Sequence, residues 1–143
     1  MKHRIAILSD IHGNTTALEA VIKDAQELGA TEYWLMGDIL LPGPGRNELF
    51  KLLSSIPITA TVRGNWDDCV LEALEDPQEI QLLRLTQYLM EEIDSKYVDW
   101  IRSLPLVVKK EINGIRFSLT HHLPEKNYGG ELRPANDTSH FDQ

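Results

Sequence analysis

The sequence predicts an α/β fold built on a parallel sheet, and three observations carry that prediction. Short apolar runs alternate with stretches of helical spacing through residues 1–68, as strands joined by single helices do. Each of those runs stops at a polar block, first Asp10-x-His12, then Gly37-Asp38, then Gly64-Asn65. Further on, Asn113-Gly114 separates two β-type runs, the strongest short hairpin signal.

Ile5 to Leu8 is a continuous apolar run, as a strand buried on both faces should be. Leu18, Val21, Ile22, Ala25 and Leu28 then recur at helical spacing, with Thr16-x-x-Glu19 as an expected capping box and Gly29 as the stop. Tyr33 to Met36 forms a second strand. Leu41-Pro42-Gly43-Pro44-Gly45 can only be a loop, and Glu48, Leu49, Leu52 and Leu53 begin a short helix. Ile58 to Val62 is the third strand.

Residues 69–104 read as a helical segment, with one helix ending near Glu75 and a longer one capped by Asp76-Pro77-Gln78-Glu79. An apolar stripe from Ile80 through Leu83, Leu85, Tyr88, Leu89, Ile93 and Tyr97 to Ile101 is expected to pack that helix rather than to do chemistry. Residues 106–122 form the hairpin, and 123–143 read as a polar loop or tail. The whole is expected to be one domain, since no linker or repeat divides it.

Composition bounds the function. With 42% hydrophobic and 25% charged residues the chain is of ordinary globular composition, and no run approaches the ~20 apolar residues of a spanning helix. Met1 to Arg4 is basic, but the apolar run behind it is too short for a signal peptide, so a cytoplasmic protein away from membranes is expected. Cys69 is the only cysteine, which excludes a disulfide framework or a thiolate zinc cluster. A net charge of −8 opposes wrapping of duplex nucleic acid, and an anionic substrate would need positive charge from bound cations.

Asp10 and His12, two apart at a strand end, are expected to point to one side and to converge on one ion. In open parallel sheets ligands bind outside the carboxyl ends of the strands, so Asp38 and Asn65 are delivered to the same rim. His121-His122 follows the last hairpin strand and adds another donor at a strand end.

Asp10-x-His12, Gly37-Asp38, Gly64-Asn65 and His121, in that order and each after a strand, resemble the calcineurin-like metallophosphoesterase superfamily. The likeness is strongest to its small bacterial and archaeal phosphodiesterases and covers roughly residues 4–122. It implies a four-layer α/β-β/α sandwich with two divalent metal ions at one rim. Asp10 and His12 would hold the first ion, Asp38 would bridge, and Asn65 and His121 would hold the second. The donor set suits manganese first, with iron, nickel, cobalt or zinc able to serve.

The resemblance further implies a phosphoesterase, a phosphodiesterase or phosphatase acting on a phosphorylated small molecule or nucleotide. Two ions ~3.5–4 Å apart would activate a bridging hydroxide for in-line attack on phosphorus. Asn65 would also meet the substrate, and Arg63 could steady a phosphate oxygen, although an Arg in so acidic a chain more often pairs with a carboxylate.

Two departures stand out. Many relatives carry a general-acid His after the Gly-Asn pair, where this chain has Trp66. His122 is the candidate substitute acid, although a residue so placed more often has a hinge or supporting role. Relatives also complete the site with a downstream Gly-His-x-His segment that His140 does not match, so the chain is expected to be the amino-terminal portion of a longer phosphoesterase, a fragment weakly active or inactive by itself. A sheet left open at an edge is expected to invite a homo-oligomer.

The alternative of another class is a metallophosphoesterase-fold scaffold without turnover. Trp66 and the unmatched histidines favour it, and five convergent donors speak against it. A phosphotransfer domain with an Asp nucleophile fits less well, because position 12 is His and no later strand end shows the lysine that chemistry uses.

Overall fold

A computed structural model describes residues 3–75, 84, 87–88 and 91–122. Three strands, β1 (Ile5–Leu8), β2 (Glu32–Leu35) and β3 (Ile58–Thr61), form a parallel sheet in the order β1-β2-β3. The helices α1 (Thr15–Glu27) and α2 (Asn47–Ser54) lie between them in the chain, and α3 (Asn65–Glu75) follows β3. The last helix among the described residues, α4 (Ser95–Ser103), leads into the antiparallel hairpin β4 (Val107–Ile112) and β5 (Ile115–Thr120), a separate two-stranded sheet. Among the described residues no helix is long and apolar enough to cross a membrane.

The parallel sheet is covered on both faces. Tyr33 and Leu35 pack with Leu18, Ile22, Leu49, Phe50 and Ile101 of the helices, whereas Trp34 points the other way and packs with Leu119 and Phe117 of the hairpin. A register irregularity in β3 lets Ile58 join the helical side while Ala60, two residues on, joins the hairpin side. Helices, parallel sheet and hairpin make three layers of the expected sandwich; a fourth is not among the described residues.

The hairpin does not stand alone, because Lys110 Nζ reaches Glu32 Oε1 at 3.0 Å and the Thr59 carbonyl at 3.1 Å, and Trp34 Nε1 donates to the same Glu32 oxygen at 2.7 Å. Asn113 and Gly114 both adopt positive φ (52° and 79°), as a tight two-residue turn requires.

Three local expectations change. The cap of α1 is Asn14, whose side chain accepts from the Ala17 N–H at 3.0 Å, rather than Thr16, which already lies within the helix. Helix α3 begins at Asn65 instead of after Asp68, so Asn65 and Asp67 occupy its first turn. The predicted long helix through Ile101 is interrupted by the turn at 91–93, and α4 starts afresh after Asp94. The Asp76-Pro77-Gln78-Glu79 cap, Ile80, Leu83, Leu85, Leu89, His140 and the tail at 123–143 lie outside the described residues.

Candidate metal centre

All four strand ends that carry donors open on one rim. Asp10, His12 and Asp38 each offer a ligand atom within 4.8 Å of the others. His12 Nε2 lies 3.5 Å from Asp10 Oδ1 and 3.8 Å from Asp38 Oδ2. From the opposite side His121 Nε2 lies 3.4 Å from the same Asp38 oxygen and 2.9 Å from Asn65 Oδ1. Asp38 is 2% exposed, so its Oδ2 is the buried hub around which the other four predicted donors gather.

The means of convergence differs from the expectation. β1 ends at Leu8, and Asp10 and His12 are not extended: both have positive φ (56° and 50°), as does Asp38 (55°). Side-chain alternation along a strand therefore does not bring Asp10 and His12 together; left-handed turns do. Such a conformation costs an L-residue ~1–3 kcal/mol and persists only where neighbours impose it. Here the Asp10, His12 and Gly13 N–H groups donate to the carbonyls of Gly37 (3.1 Å), Asp38 (2.8 Å) and Ile39 (2.8 Å), which rivets the first loop to the second.

Both histidines are oriented alike. His12 Nδ1 donates to the Leu41 carbonyl and His121 Nδ1 to the Met36 carbonyl, the latter at 2.5 Å. A carbonyl only accepts, so each Nδ1 carries a proton and each ring turns its Nε2 towards the carboxylate and amide oxygens. A metal ligand uses the Nε2 lone pair, and a cation between these atoms would take the nitrogen and oxygen lone pairs together. Ligand atoms ~2.0–2.2 Å from a common ion stand ~3–3.5 Å apart, close to the spacings above. The residues fit divalent cations.

Asp67 was missed as a site residue, yet it is fully buried and braces the hub. Its Oδ2 accepts from the N–H groups of Asp38 and Gly64 and its Oδ1 from that of Ile39, each at 2.9 Å. Burial pushes its carboxyl up from the ordinary value, opposed by those N–H bonds and reinforced by the charge of Asp38. The signal was present as an acid in the first turn behind Gly64-Asn65. Trp66 contributes its backbone, whose N–H donates to Asp38 Oδ1 at 2.8 Å, and sets its ring edge-on to His12 at 6.0 Å. Gly64 must lack a side chain, because a Cβ there would meet Asp38 Oδ1 at 2.1 Å.

Two predicted residues are not among the gathered donors. The Arg63 guanidinium pairs through Nε with Asp68 at 2.5 Å and donates to the Arg102 carbonyl at 3.1 Å, the structural pairing weighed against a phosphate contact. His122 is exposed just past β5.

A parallel sheet and a hairpin whose strand ends bring aspartates, histidines and an asparagine to one rim make a metal fold of the phosphoesterase type. The chain matches the calcineurin-like phosphoesterase family over residues 3–142 and belongs to it. Its sequence is 31% identical over 129 residues to the uncharacterized protein MJ0912 of Methanocaldococcus jannaschii, covering 87% of this chain and 51% of that one. The fold is similar to a metallophosphoesterase from Sphaerobacter thermophilus (TM-score 0.61, 29% identity, covering 76% of this chain and 44% of that one). It is also similar to the hypothetical protein PH1004 from Pyrococcus horikoshii OT3 (TM-score 0.71, 24% identity, 96% and 62%). The chain thus spans about half the length of the curated relative it matches.

Proposed function

We propose that the chain acts as a phosphoesterase dependent on two divalent ions, manganese first, hydrolysing a phosphorylated small molecule or nucleotide in the cytoplasm. The observation that carries this reading is the gathering of Asp10, His12, Asn65 and His121 about the buried Asp38 carboxylate. Asp10 and His12 would hold one ion, Asn65 and His121 the other, and Asp38 would serve both. When bound, the ions supply Lewis acidity towards the phosphoryl oxygens and activate water as the nucleophile.

The chain's own residues do the rest. The Nδ1–H bonds of His12 and His121 fix which nitrogen faces the ions. Asp67 and the Trp66 N–H hold Asp38 still. His122, whose exposed imidazole follows His121 directly, is assigned the proton delivered to the leaving oxygen. A phosphate contact from Arg63 would have to displace Asp68 from Nε, so the ion pair is the reading the geometry favours.

Manganese-dependent release of nitrophenol from bis(4-nitrophenyl) phosphate and from 4-nitrophenyl phosphate tests the proposal. Turnover that disappears in Asp38→Asn supports it. No metal-dependent turnover of either ester would point instead to the non-catalytic scaffold.

A further inference from the structure

A cavity of about 680 Å³ opens beside the donors Asp10 and His12. Ile11, Asn14, Pro42, Gly43, Pro44 and Trp66 complete its lining. Trp66 is anchored there by packing on the buried Leu41 and Val70, and its indole stands edge-on to the His12 ring at 6.0 Å. Its backbone is tied down as well, through the N–H bond to Asp38 Oδ1. The indole is therefore a fixed surface, not a mobile side chain.

Asp10 and His12 line this cavity themselves, so a phosphoryl group held at them would have this space beside it for its ester substituent. Beside the polar donors, the indole and the two prolines give part of the lining a flat apolar face, which favours a flat, uncharged ring that gains by stacking or edge contact and loses little rotational freedom. We infer that the cavity bounded by Trp66, Pro42 and Pro44 is a subsite for an aromatic ring carried on the phosphoryl group, an aryl or nucleoside substituent. This inference rests on the phosphoester reading of the same centre.

Binding of non-hydrolysable phosphonates to the manganese-loaded chain tests it, followed by calorimetry. Phenylphosphonate and methylphosphonate present the same phosphonate group and differ only in the substituent. Phenylphosphonate is expected to bind roughly tenfold tighter, the magnitude of one ring-on-aromatic contact. The preference should fall towards unity in Trp66→Leu, which keeps apolar bulk without a ring, and survive in Trp66→Phe. Should Trp66→Leu fail to fold, a crystal structure of the phenylphosphonate complex decides, with the phenyl ring against the Trp66 indole expected.

Equal affinity for the two phosphonates, or a preference indifferent to Trp66, overturns the subsite and leaves the phosphoester reading standing. Binding of neither phosphonate, or no binding of manganese, rejects that reading and the subsite with it. Adenosine 5′-monophosphate separates the two sources of the ring. Trp66-dependent binding at least as tight as that of phenylphosphonate marks a nucleoside, and weaker binding marks an aryl group.

Discussion

Asp67 Oδ2 accepts the backbone N–H of Asp38 at 2.9 Å, so a carboxylate with no exposed surface sets the backbone of the carboxylate at the centre of the site. The same oxygen takes the Gly64 N–H, and Oδ1 takes that of Ile39. One side chain in the first turn of α3 thereby joins the loops behind β2 and β3.

Asp67→Ala leaves three buried N–H groups without their acceptor. The expected loss is about 3 kcal/mol or more of folding stability, a large share of what a domain of this size possesses. Asp67→Asn sets an amide donor against the N–H groups of Asp38 and Gly64 and is expected to lower manganese affinity even where the fold survives. Urea denaturation and metal titration of both variants measure this. Wild-type affinity in Asp67→Asn would deny Asp67 its bracing role.

Metal stoichiometry separates the two ion positions. Elemental analysis after manganese titration is expected to give two ions per chain, at most one in His121→Ala, and fewer still in Asp38→Asn, because Asp38 serves both. His121→Ala removes a donor from one side of Asp38 Oδ2 and leaves Asp10 and His12 on the other.

Gly64→Ala is a steric test of the same hub. The added methyl would stand 2.1 Å from Asp38 Oδ1 and 2.3 Å from Asp38 N, contacts that require the loop to move. Overpacking of this kind costs ~1–3 kcal/mol. Manganese affinity is expected to fall with it, and a variant that keeps wild-type affinity would show that the loop yields without disturbing Asp38.

Acid should loosen the hairpin. The Thr59 hydroxyl, then the Trp34 indole, then Lys110 hold the Glu32 carboxyl down from 4.5 to about 2. A depressed carboxyl means that the unfolded chain takes up the proton first as pH falls. Its stabilisation is present above pH 4.5 and is lost as pH falls towards 2. Denaturation midpoints of wild type and Glu32→Gln are expected to differ at pH 6 and to converge near pH 2. A constant difference across that range would contradict the assignment.

Much of this was legible in the primary structure. β1, the hairpin strands and the order of the donor blocks follow from apolar runs, turn chemistry and strand-end position, which are local properties. The start of α3 at Asn65 leaves little mark in the sequence, because Asn65, Trp66 and Asp67 carry no helical apolar period of their own. Spacing alone points to Thr16 as the cap of α1, whereas in the fold Asn14 takes the Ala17 N–H.

The sequence by itself determined the fold class and the succession of Asp10, His12, Asp38, Asn65 and His121 at successive strand ends, because each is written in residue type and nearest neighbours. Only the tertiary structure decided how they meet. Asp10 and His12 converge through left-handed turns held by carbonyls of the neighbouring loop, and both imidazoles are turned by carbonyls, those of Leu41 and Met36, 29 and 85 residues away in sequence. Asp67 belongs to the site through backbone N–H groups that every residue but proline carries. Such contacts depend on where the chain passes in space, and backbone groups, being the same along the chain, leave no mark in residue type.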